Sequence, residues 1–114
     1  MISGIGTDIE LINRFKDKGN NKRFLELIFT KKEIEYCSKK KNCPISYAGK
    51  FCAKESIIKA MGKKLPFQDI EIINNKEGKP EVFIQGKLNK KIHCTISHSG
   101  EYAIAYAIVE KNGK

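Results

Sequence analysis

The chain has 114 residues, of which 40% are hydrophobic and 31% charged, and a formal net charge of +9. That length holds one domain, 1–114, around one core; the apolar runs fall far short of the ~20 residues of a membrane span. MISGIGTDIE carries no signal or transit pattern, so a cytoplasmic protein without a membrane partner is expected. The positive excess favours an anionic partner, whether nucleic acid, anionic lipid, a polyphosphate ligand or an acidic protein, and does not choose among them.

In chain order, residues 1–8 alternate as a strand, with Ile2, Gly4, Gly6 and Asp8 on one face. Two glycines on that face leave room for another element or a ligand to come close. Stretches 11–18 and 21–28 read as short helices broken at Gly19, Asn20 and Asn21. Thr30 followed by Glu33 fits a capping box and starts a helix to about Lys40. Pro44 suits the first turn, and Gly62 the end, of the longest helix, about 44–61. The period then changes: 68–73 and 81–84 are strands around a turn-rich loop, and 92–97 and 102–109 are two more. In the last strand Ala103, Ala105, Ala107 and Val109 share one face, which invites a helix to pack close. The fold class expected is α+β: one N-terminal strand, a run of helices including the long central one, then an antiparallel sheet packed on it. Cys37, Cys43, Cys52 and Cys94 show no metal-ligand spacing, and Cys52 and Cys94 fall where a free thiol acts as a small hydrophobe.

The long helix carries KFCAKESIIKAMG, residues 50–62. On a wheel of about 100° per residue, Glu55 and Lys59 fall inside the apolar arc, and Lys50 and Lys54 on the expected wet side. An i,i+4 surface pair would explain Glu55 and Lys59 simply. Buried charges are seldom selected for stability, however, so a pair on the packing face points to a site. Asp8 ends the first strand, where its carboxylate would project past the sheet edge; His98 lies in the polar tip Ser97-His98-Ser99-Gly100. Singly, Asp8 reads as a cap and His98 as a turn residue. Together with Glu55 and Lys59 they make two carboxylates for a hard cation such as Mg²⁺, a lysine for phosphate charge and a nearby histidine. There is no Walker loop or nucleophile-elbow GxSxG.

In order along nearly the whole chain stand Gly4-Ile5-Gly6-Thr7-Asp8-Ile9, Phe51-Cys52-Ala53-Lys54-Glu55-Ser56-Ile57-Ile58-Lys59-Ala60, Phe67-Gln68-Asp69-Ile70-Glu71-Ile72, Gly78-Lys79-Pro80 and Ile96-Ser97-His98-Ser99. This set resembles the holo-[acyl-carrier-protein] synthases, the short form of 4′-phosphopantetheinyl transferase. The resemblance implies transfer of the phosphopantetheine arm of coenzyme A to a serine of an acidic apo acyl carrier protein, releasing adenosine 3′,5′-bisphosphate. It implies that Asp8 and Glu55 hold Mg²⁺, that Lys59 meets the pyrophosphate, and that Lys50, Ser97, His98 and Ser99 help bind coenzyme A. His98 would reach in from a neighbouring subunit of a homotrimer, and Glu55 is the candidate base for the serine proton. Arg14, Lys18, Lys22 and Arg23 would form the carrier-docking surface. Leu27 and Lys50 stand where the family often has arginine, and a lysine meets phosphate only as a point charge. A basic nucleic-acid-binding module is the rival reading of the charge; it leaves Asp8, Glu55 and Lys59 without a role, and the aromatics are not interleaved with basic residues as a stacking platform requires.

Overall fold

The structure, a computed structural model, describes residues 1–18 and 21–111, Lys18 by its backbone alone. Gly19 and Asn20 of the expected helix break, and the side chain of Lys18, lie outside the described residues. Strand β1 (Ile2–Leu11) is followed by α1 (Arg14–Lys18), α2 (Lys22–Ile28), α3 (Lys31–Ser38) and α4 (Cys43–Met61). A 3-10 turn (Phe67–Asp69) then leads into β2 (Ile70–Asn74), β3 (Pro80–Ile84), β4 (Lys87–Leu88), β5 (Ile92–Ser99) and β6 (Tyr102–Glu110). The α+β class and the long central helix are as expected. The second half forms two antiparallel sheets: β1-β6-β5, which recruits the N-terminal strand, and β2-β3-β4.

Local signals set the helix ends. Thr30 and Glu33 make the capping box of α3, each side chain bonding the other's backbone N–H. Asn42 caps α4, Pro44 sits in its first turn, and Gly62 ends it in the left-handed region at φ 69°. The first strand runs three residues beyond 1–8, because its period-two alternation continues through Glu10 and Leu11 before α1 begins.

Helix α4 lies against the first sheet at very short range. A Cβ on Gly4 would stand 1.8 Å from the Ala60 carbonyl oxygen, and one on Gly6 1.9 Å from that of Ser56. The glycine face therefore admits the helix backbone itself. Ala103, Ala105 and Ala107 of β6 are buried under the same helix, so the alanine face does what its small side chains allow. The opposite side of α4 is covered too: Tyr47 meets Phe29, and Phe51 meets Phe15 and Phe67.

That wrapping corrects the wheel. Lys50 and Lys54 are buried, not wet. The Lys54 ammonium spends all three hydrogens inside the protein, on Glu33 Oε1 at 2.6 Å, Ile28 O at 2.7 Å and Phe67 O at 3.0 Å. Glu33 is equally satisfied, accepting also from the backbone of Thr30 and of Ile72. A wheel that assigns lysine to solvent cannot foresee a partner carboxylate arriving from another helix. Lys59, expected on the inner arc, is exposed near the end of α4, while Glu55 is half-buried.

Candidate active site

Strand alternation places Gly4, Gly6, Asp8 and Glu10 on the face that α4 covers. The glycines bring the helix down, and where they stop the next two positions carry carboxylates. Glu55 comes from the facing helix. Asp8, Glu10 and Glu55 each offer an oxygen within 4.8 Å of the others. Asp8 is therefore mid-strand under the helix, not projecting past a sheet edge as the sequence suggested; its neighbour across the ladder is Ala105.

Electrostatically the three carboxylates are compensated only from the rim, by Arg14 at Glu10 and Lys59 at Asp8. Burial, then the Asp8 carboxylate, pushes the Glu55 pKa up from its ordinary 4.5. Glu10 is raised from the same value by burial and then by Asp8, with Arg14 partly opposing the shift. Asp8 Oδ2 is buried with no hydrogen-bond partner among the described residues. Lys59 approaches from the rim, donating to Thr7 O at 2.9 Å with its ammonium 3.5 Å from Asp8 Oδ1. Clustered oxygens, one of them orphaned, suit a hard divalent cation that takes carboxylates and fills its shell from ligand and water.

Glu10 escaped the sequence reading because the strand was ended at Asp8. Extending the period by one step, i to i+2, would have found it. It forms an ion pair with Arg14, whose guanidinium carbon also lies 5.7 Å from the Phe51 ring centroid.

His98 does not join the trio. In the sheet register it aligns with Ala103, which aligns with Glu10, so two strand spacings of about 4.8 Å separate the backbones of His98 and Glu10. His98 instead lines a groove of about 490 Å³ with Tyr36, Lys40, Lys50, Asn74 and Thr95. Lys50 donates there to Ile72 O at 2.8 Å and Asn74 Oδ1 at 3.0 Å, and burial lowers its pKa. The ammonium groups of Lys40 and Lys50 stand 4.4 and 4.6 Å from the Tyr36 ring centroid, giving the groove a positive, partly desolvated wall. Ser97 and Ser99 are exposed on the outer face of the first sheet, in register with Ile104 and Tyr102. Arg14, Lys22 and Arg23 are exposed on α1 and α2.

A model of the 4′-phosphopantetheinyl transferase superfamily matches residues 4–107. The chain belongs to that superfamily. The holo-[acyl-carrier-protein] synthase of Clostridium novyi (strain NT) is 48% identical over 96% of this chain and 88% of its own length. That of Clostridium tetani (strain Massachusetts / E88) is 45% identical over 96% and 97%. Among solved structures, the Bacillus anthracis holo-(acyl-carrier-protein) synthase, in complex with CoA (3′,5′-ADP), superposes with a TM-score of 0.83 at 34% identity, covering 98% of this chain and 99% of that one. The Helicobacter pylori enzyme in complex with coenzyme A gives 0.78 at 29%, covering 93% and 99%. As a member of this superfamily the chain is a transferase of the phosphopantetheinyl class.

Proposed function

We propose that this chain transfers the 4′-phosphopantetheine group of coenzyme A to a serine of an acidic apo acyl carrier protein, in the cytoplasm and in the service of fatty acid synthesis. The observation that carries the reading is the trio Asp8, Glu10 and Glu55, with its orphaned oxygen, beside Lys59. Asp8 and Glu55 would hold Mg²⁺, whose chemistry there is to neutralise charge on the coenzyme A pyrophosphate. The rest falls to positioning and fixed charge, which carry most phosphoryl-transfer catalysis. Lys59 stabilises negative charge gathering on the pyrophosphate as the serine oxygen attacks the β-phosphorus and 3′,5′-ADP leaves. Glu55, which faces Asp8 in the trio, accepts the serine proton. Lys50 and His98 line the groove that would take the nucleotide end, and Ser97 and Ser99, on the sheet's outer face, would meet coenzyme A from there.

The outer face of the first sheet supports a homotrimer with sites at its interfaces. Ile5 is 70% exposed and Ile9 57%, and Leu11, Tyr102 and Tyr106 extend the same apolar surface. Contiguous apolar surface of this kind marks an interaction site, and a second copy would bring its own His98 groove toward the trio. Arg14, Lys18, Lys22 and Arg23 would steer the acidic carrier.

The test is incubation with coenzyme A, Mg²⁺ and an apo carrier protein, followed by mass spectrometry of the carrier. The expected result is a phosphopantetheine mass gain that EDTA prevents; no gain with any of several bacterial carriers would refute the reading.

A further inference from the structure

Glu10 has competing demands on one carboxylate. Its side chain, 12% exposed, is paired with the Arg14 guanidinium four residues on, yet one of its oxygens also lies within 4.8 Å of those of Asp8 and Glu55. A carboxylate paired with a guanidinium is already charge-compensated, and here one of its oxygens is committed to that single contact. It is a poorer donor to a cation on its other side, and the guanidinium repels that cation. Arg14 itself is 47% exposed, so one side of it is open to a docking protein.

We propose that the Arg14–Glu10 pair is a latch on the metal site. In the free protein Arg14 holds one oxygen of Glu10; an acidic side chain of the docking carrier takes Arg14, and Glu10, already within reach of the cluster, is freed to serve the cation as a third carboxylate ligand beside Asp8 and Glu55. The inference rests on the metal and carrier reading above and adds to it a regulatory link between the two. Because the link is a coupling of binding equilibria, carrier and cation must tighten each other by the same factor.

The measurement is a Mn²⁺ titration of the full chain, counting free Mn²⁺ by its electron paramagnetic resonance signal. Arg14→Ala should tighten Mn²⁺ binding about five-fold or more, the scale of ordinary coupling between sites. The same change in a Glu10→Gln background should have an effect below about two-fold, since no latch remains to open. Saturating apo carrier should tighten Mn²⁺ binding by the wild type and not by Glu10→Gln. Equal tightening by Arg14→Ala in both backgrounds would mean plain charge repulsion and overturn the latch, as would no tightening at all. A carrier without effect on wild-type Mn²⁺ affinity would overturn the release step. Wild type that binds no Mn²⁺ overturns the metal reading and the latch together; Mn²⁺ binding and carrier modification without an Arg14 effect overturn the latch alone.

Discussion

Glu10 and Glu55 bind their protons more tightly folded than unfolded, since burial and the neighbouring Asp8 carboxylate raise both from 4.5. With the folded pKa above the unfolded one, their favourable contribution is complete below pH 4.5 and is lost as the pH rises through the raised values. At neutral pH the metal-free site is therefore a cost to the fold. Glu55→Gln should melt at a higher temperature than the wild type in EDTA at pH 7 and lose this advantage near pH 4, measured by thermal circular dichroism. Added Mg²⁺ should raise the wild-type melting temperature and leave the variant nearly unmoved. The same substitution should cut transfer by about 10²-fold or more, the scale of losing a preorganised electrostatic group. A variant less stable than wild type in EDTA would show that Glu55 serves packing and not charge.

At the scale of elements, α4 is the axis on which the site is hung. Its register on β1 is set by backbone contact at Gly4 and Gly6. Gly6→Ala must push the helix off the strand, costing about 1–3 kcal/mol in urea melts by overpacking and lowering transfer as Glu55 leaves Asp8. On the other side, Lys54 ties α4 to Glu33 of α3, to the end of α2 and to the 3-10 turn. Lys54→Met leaves the Glu33 carboxylate buried without its ammonium, so the expected loss is about 3–5 kcal/mol; adding Glu33→Leu should recover part of it. Much of this arrangement was legible in the sequence. The glycine and alanine faces, the capping box and the Pro44–Gly62 helix bounds are local patterns, and each found its place. What was not legible came from other elements: the Glu33 partner that lets Lys54 be buried, and the second layer that closes over Lys50. Asp8 and Glu55 could be paired from the long helix and the glycine strand. Glu10 joins them only if the strand's alternation is carried one step past Asp8.

For the whole molecule, the apolar outer face of the first sheet and the positive excess make separate demands. If Ile5, Ile9 and Tyr106 pack against further copies, light scattering behind a sizing column should give a trimer at micromolar concentration. Tyr106→Glu should then yield monomers that keep their helical circular dichroism and lose most transfer, because the His98 groove of one copy no longer meets the trio of another. A monomeric wild type with full activity would sink the interface reading. The charge of +9 acts over longer range. kcat/KM for the carrier should fall steeply between low salt and 0.5 M NaCl, with kcat changing far less, because screening slows encounter more than chemistry.

The wrapping of α4 has a consequence for how the protein breathes. Amides in an element covered on every side exchange with solvent only through near-global opening, whereas short exposed segments open locally at little cost. α4 is covered by a sheet on one flank and by Phe15, Phe29 and Phe67 on the other, and α1 is a five-residue helix that Phe15 anchors while Arg14, Lys16 and Asp17 stand exposed. The carboxylate of Glu55 thus rides on the slowest-opening part of the chain, while Arg14 belongs to one of the fastest. In hydrogen–deuterium exchange, residues 50–60 should be the last to label and 13–18 among the first. One wall of the site keeps its shape between encounters while the other yields to whatever docks.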